Sequence, residues 1–383
     1  MKYLTGIILG ILSVSLFVLC SHPKENGKIK IDFDQLNKKD NLFSDEVFAK
    51  VAYVPLESDS ACFIGSNAEF RLIGSKFYFL DPVEQQVFVF EEDGKFVNKI
   101  GRAGRGPGEY ISATDFWVDT ERGVVEILSY YNKKIYSYSL DGRFIGDRNG
   151  INAYSFIKGS NGNYWLCKGV TADEQIGNEQ IYEVDQQNKV IRKYLPLAHT
   201  LHAGIPETSF SVGGDQSVLY FSHFDNQVYR ILPDTIRTFF EFDFGSLAYP
   251  RDLFGRPMAE VMHVMTKEDH LSVDKCLENS EYVYFFIIQT GEHYKYYHLL
   301  YHKDSGKILC KGLERTSWEY ELLRGAKALT ETNELIFLVN PESYNEALNR
   351  KSTLFYQKGE KIQDTDGTNN LLLKMKFRNS PGL

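Results

Sequence analysis

The chain has 383 residues, among them 30 Gly, 24 Tyr and 27 Phe, and its aromatic share is 14%. This composition excludes a disordered or coiled-coil protein and favours a sheet-rich domain with a large core, which at this length can still be one all-β unit. A formal net charge of -8 excludes a general nucleic-acid binder, because such a protein needs a basic face.

Residues 1–19 read as a separate module. Lys2 supplies a positive start, Leu4 to Leu19 form an apolar run, and the run ends at Cys20. The pattern is that of a lipoprotein signal peptide, cut before a cysteine that then takes lipid. It predicts an exported protein held in the bacterial cell envelope through lipid on Cys20. An uncleaved membrane anchor is the alternative, since the run is only slightly shorter than a membrane span. Residues 20–30 are polar, with Pro23, Asn26 and Gly27, and read as a flexible tether. Residues 31–383 are then a single domain. Cys62, Cys167, Cys276 and Cys310 are far apart and make no C-x-x-C, so they read as buried thiols in strands; disulfides remain the alternative in an exported chain.

From Phe88 onward the chain repeats. An alternating strand, VFVF, an Asp93-Gly94 turn and a second strand, KFVNKI, form the pattern of a hairpin whose turn needs positive φ. Aligning the aromatic before each turn places Phe88, Tyr136, Tyr182 and Tyr229 at spacings of 48, 46 and 47 residues, one four-stranded blade per step. A fifth copy puts Leu299 in the Phe88 position, with about 23 surplus residues before it. Those residues, Ala248 to Asp269, lose the period of two and suit a short helix beginning near Pro257, an insertion on the rim. A second insertion, Pro341 to Arg350, reads as helical from a Ser343 cap.

The last copy is split between the chain ends. Tyr53-Val54-Pro55-Leu56 matches Tyr194-Leu195-Pro196-Leu197, the outermost strand of copy three. Lys50 to Ser58 should therefore be the outermost strand of the last blade, beside Asn369 to Phe377, with Glu334 to Val339 inside that. The count is six blades, and the closure removes free sheet edges. The fold class is all-β, a six-bladed β-propeller with short helical insertions.

The runs YVPLES (Tyr53 to Ser58), IGRAGRGPGEY (Ile100 to Tyr110), DNQVYRI (Asp225 to Ile231) with FDFG (Phe242 to Gly245), and NNLLLKMKF make the chain resemble the six-bladed propeller lipoproteins of Bacteroidetes, related in architecture to NHL-repeat proteins. The resemblance implies an exported propeller anchored at the outer membrane and supplies no catalytic residues. The signal, the repeat and the absence of a catalytic motif point to a ligand- or protein-binding or scaffolding module for a small-molecule, glycan or protein partner. A lyase or hydrolase with a metal or polar site in the central channel is the rival reading, because propeller sites draw one residue from each of several blades.

The Gly-rich run fits neither nucleotide-binding loop pattern, and a strand rather than a helix follows it. It reads as an interblade connection, with Arg102, Arg105 and Glu109 as candidates for the ligand face. His298 and His302 share one face of what reads as an outer strand, where exposure or hydrogen bonding is expected rather than metal binding. No residue is assigned to catalysis, metal or cofactor. Replacing Cys20 with Ser should abolish incorporation of labelled palmitate; unchanged labelling of the variant would refute lipidation at this cysteine.

Overall fold

The computed structural model describes residues 24–25, 27–59, 61–149, 152–174, 176–201, 209–350, 354 and 368–378. The signal module and Cys20 lie outside them. Six antiparallel four-stranded blades form the propeller, and two N-terminal strands extend the sheet of the fourth to six. The third strands of the blades are Gln86–Glu91, Lys134–Ser139, Glu179–Val184, Gln227–Leu232, Lys295–His302 and Leu371–Phe377. The aligned positions Phe88, Tyr136, Tyr182, Tyr229 and Leu299 all fall on these strands. The third strands are buried because a blade's middle is covered by both neighbours. The outermost strand of blade two, Phe144–Asn149, alternates only between exposed and half-buried.

The sixth blade runs Ala328–Leu329, Glu334–Val339, Leu371–Phe377 and Phe48–Pro55 from the channel outward. Leu373 faces Tyr53 and Met375 faces Val51 across the closing pair. The closure also reaches blade one. Glu57 N donates to Gly94 O at 2.8 Å, and a Cβ on Gly94, whose φ is +90°, would lie 2.0 Å from Pro55 O. The Asp-Gly turn thus needs glycine twice, for its left-handed backbone and for the approach of the closing strand. In blade three Asn188 takes that left-handed position with φ 64°, as asparagine tolerates it better than other side chains.

The N-terminal segment departs from expectation. Lys28–Asp32, whose first three residues read from sequence as the end of a tether, form a strand parallel to Thr235–Asp243 on the outer edge of blade four. Ile29, Ile31 and Phe33 are buried there, so an alternation too short to stand alone gains a sheet edge and an apolar floor. The chain then crosses blade five, where Lys38 O accepts from Gly312 N at 2.9 Å and Asp40 N donates to Cys310 O at 3.1 Å.

The first insertion holds a helix, Met258–Lys267, entered through Pro257. Its Val261 and Val264 pack with Val170, Leu201 and Leu253 in a small cluster of their own. The second helix begins at Pro341, earlier than the Ser343 cap expected. Asn340 caps it instead, its Oδ1 accepting from Ser343 N at 2.8 Å, because the capping oxygen must lie one residue before the first turn. The four cysteines Cys62, Cys167, Cys276 and Cys310 are buried and unbridged.

Ala52 and Lys374 face each other across the closing pair. Cysteines at both positions should form a disulfide under mild oxidation and raise the urea midpoint, by up to about 4 kcal/mol of restriction on the unfolded chain. Failure to crosslink would refute the closing register.

Candidate functional site

Charged residues on the innermost strands converge on the propeller axis. Glu69 and Arg71 come from the first strand of blade one, Glu69–Ile73, and Asp115 from that of blade two, Asp115–Asp119. Asp274 and Lys275 lie midway along His270–Glu278 of blade five, at a register shift between Val273 and Lys275. Lys327 immediately precedes the short first strand of blade six. The bulge in blade five turns two successive charged side chains toward the same region, which strict alternation would forbid.

Two pairs tie the blades together around the axis. Asp115 Oδ1 accepts from Arg71 Nη2 at 2.8 Å, while its Oδ2 accepts from Phe156 N of blade three at 2.8 Å. Arg71 Nε also donates to Phe116 O at 2.8 Å. Burial raises the Asp115 carboxyl above its usual range despite the opposing Arg71 charge. Lys275 Nζ lies 2.9 Å and 3.3 Å from the two oxygens of Glu69. Burial acts to raise Glu69, but Lys275 and then Lys327 outweigh it and hold the carboxyl below the ordinary range. Asp274 is likewise held low, since the hydrogen bond and charge of His223, whose Nε2 lies at 3.1 Å, overcome its burial.

Lys327 differs from its neighbours. Among the described residues its ammonium has no carboxylate within ion-pair distance, and its side-chain hydrogen bond goes to Ala68 O at 3.3 Å. Burial, reinforced by the charge of Lys275, lowers it to about 8. The backbone fixes its place. Ala326 N donates to the Tyr284 hydroxyl at 3.1 Å, and that hydroxyl meets His298 Nδ1 at 2.8 Å. Gly325, at φ +68°, lies where a Cβ would come within 2.7 Å of the Phe286 ring.

Two cavities of about 320 Å³ each meet at this cluster. One reaches the face that carries the turns between first and second strands, through Gly213, Gln216, Thr330 and Glu331. The other reaches the opposite face, through Ser66, Asn67, Arg324 and Tyr294. Glu69, Lys275 and Lys327 line both, so an ionic layer divides the channel. Aromatic groups flank it, Trp117 and Phe210 on the first side and Phe286, Tyr294 and Tyr296 on the second. Among the described residues no three His, Cys, Asp or Glu side chains are grouped to hold a metal ion.

The residues singled out from sequence lie elsewhere. Arg102, Arg105 and Glu109 belong to a connection bonded to itself, with Gly104 N to Tyr110 O at 2.9 Å and Tyr110 N to Arg102 O at 3.2 Å. Arg102 Nε is 3.6 Å from Glu109 Oε1. None of the three lines either channel cavity. His298 and His302 sit on the third strand of blade five, not an outer one, and only His302 is partly exposed. His298 is fully buried, and burial pushes it down to about 3, which keeps the ring neutral. The channel charges form no motif in the sequence, because the segments that supply them are far apart along the chain. The available signal was positional, a charge at the innermost strand in register with the repeat.

The Lys327 ammonium titrates near pH 8 in the folded protein and near about 10.4 in the unfolded chain. Between those values the unfolded chain holds the proton and the folded one does not, so this group makes stability rise with pH. Lys327→Met should therefore be more stable than the parent at pH 7, with the difference shrinking toward pH 10. Urea midpoints at the two pH values test this, and a constant difference would refute a depressed Lys327.

Comparison with solved structures places the fold. A Bacteroides fragilis protein, provisionally described as exported, superposes with a TM-score of 0.71 at 16% identity, over 92% of this chain and 99% of that one. A Bacteroides vulgatus member of the DUF4221 family gives 0.56 at 12% identity, over 87% and 97%. Virginiamycin B lyase from Staphylococcus aureus gives 0.39 at 13% identity, over 75% and 81%. No curated protein matches the sequence significantly. The model of DUF4934, a domain of unknown function, matches residues 28–374, and the chain therefore belongs to the DUF4934 family.

Proposed function

We propose that the protein is a binding module of the bacterial cell envelope, exported and tethered through lipid on Cys20, which takes a small ligand into its central channel. One observation carries the reading. Two cavities of about 320 Å³ meet at a lysine whose charge has no carboxylate within ion-pair distance among the described residues. Volumes of that size suit a small molecule, and a half-buried charge without a counter-ion is stabilised when a ligand supplies one. Export and tethering draw on the apolar N-terminus ending at Cys20 and on the description of the Bacteroides fragilis relative as exported.

A second reading, a lyase or hydrolase, draws on the same lysine. An amine that titrates near 8 can exchange a proton at neutral pH, and Glu69 stands in the same layer as a carboxylate. The two readings differ in the fate of the ligand.

Equilibrium dialysis of the purified protein against a small-molecule extract of the bacterial envelope, read by mass spectrometry, separates them. A binder retains one or a few species at unchanged mass, whereas an enzyme depletes a species and produces a new one. Ala328→Trp combined with Asn67→Trp should abolish retention, because Ala328 lines one channel cavity and Asn67 the other. Retention that survives this block would place the ligand elsewhere, and no retention by the parent protein would refute the binding reading.

A further inference from the structure

Resting on the channel reading, we propose that the cavity opening between Arg324 and Ser66 binds a monoanionic carboxylate carried on a flat apolar body. The balance of charge along its wall leads to this class. Lys275, Lys327 and Arg324 face it as cations, against the carboxylates of Glu69 and Asp274. Lys275 is spent on Glu69 at 2.9 Å, and Asp274 is engaged by His223 at 3.1 Å. Arg324 lies 3.6 Å from Glu321 outside the cavity lining and is itself well exposed. Of the three cations lining the cavity, Lys327 is the one with no carboxylate within ion-pair distance among the described residues. An ammonium has three donors, and among the described residues only Ala68 O meets it, at 3.3 Å. A carboxylate entering here gains a charge-assisted hydrogen bond without displacing an existing ion pair.

The aromatic part of the lining sets the rest of the ligand. Phe286, Ile288, Tyr294 and Tyr296 line it, and Tyr296 is held flat against Tyr320, with ring centres 4.1 Å apart and planes 2° apart. A buttressed aromatic surface in the same cavity as a cation selects a planar body with a charged end.

The site has a built-in pH dependence. Between pH 7 and pH 9.5 Lys275 stays charged because Glu69 and Asp274 outweigh its burial, and Glu69 and Asp274 stay ionised. Arg324 remains a cation, and Tyr294, raised to about 12, remains neutral. His223, paired with Asp274, and Tyr296 also line the cavity, and Arg71, two residues beyond Glu69 on the same strand, is paired with Asp115. Among Lys275, Glu69, Asp274, Arg324, Tyr294 and Lys327, it is Lys327 that loses its proton within the window.

The test titrates the full mature chain with benzoate, benzamide and inorganic phosphate by calorimetry at pH 7 and pH 9.5. Benzoate should bind at least about 10-fold more tightly than benzamide or phosphate at pH 7, and weaken by roughly 10-fold or more at pH 9.5 as the ammonium is lost. Lys327→Met should lose the preference for benzoate over benzamide. Lys327→Arg should keep the preference and flatten the pH profile, which a merely structural role for the lysine would not produce. Equal binding of benzamide, tighter binding of phosphate, an unchanged pH profile in the arginine variant, or no benzoate binding up to about 10 mM would each overturn the assignment. Retention of neutral species in the dialysis experiment would overturn it while leaving the channel reading in place.

Discussion

The structure depends on one pairing, that of Phe48–Pro55 with Leu371–Phe377. Each blade covers its neighbours' apolar faces, so an open ring would expose two blade faces and a sheet edge at once. Pairing the chain ends in one blade converts a row of sheets into a closed ring, and only a closed ring brings six innermost strands to a common axis. Asn369 seals the seam. Its Nδ2 donates to Glu57 O at 3.0 Å and Cys62 O at 2.8 Å, and its Oδ1 accepts from Ile64 N at 3.2 Å. A single fully buried side chain thereby joins the last strand, the closing strand and the approach to blade one.

Convergence on an axis has an electrostatic consequence. Apolar side chains fill the space between blades, whereas the cavities along the axis bring charged side chains of several blades among apolar and aromatic ones. The ion pairs found there cross between blades, Arg71 with Asp115 and Lys275 with Glu69. Such pairs roughly offset their own desolvation and add little net stability. Their effect is on placement, since Asp115 also holds the backbone of Phe156 and so sets three blades relative to one another. Within that frame Lys327 stands out through the contacts it lacks.

The N-terminal strap ties the start of the described chain to the ring. From Lys28 to Asp40 the chain adds a parallel strand to blade four and then bonds to Gly312 and Cys310 of blade five. Phe33 packs edge-on against Tyr297 with ring centres 5.0 Å apart. Pulling on this strap would load two blades through backbone hydrogen bonds and a buried aromatic.

The repeat was legible in the sequence because each blade carries its own copy of a local signal, strand alternation about a turn. The positions of Phe88, Tyr136, Tyr182, Tyr229 and Leu299 gave the third strands, and the likeness of Tyr53–Leu56 to Tyr194–Leu197 gave the closure between the chain ends. Pro257 marked the start of the inserted helix, although the second helix took its cap from Asn340 rather than Ser343. What lacked a local signal stayed hidden. Lys28–Asp32 is a strand only because blade four offers it an edge, and His298 is neutral only because both sides of its strand are covered. The channel site is the extreme case. Glu69, Asp115, Lys275 and Lys327 are separated by tens to hundreds of residues, and each is an ordinary charge in its own segment. Their meaning comes from the distances among them, which alternation and turn chemistry do not encode and ring closure decides.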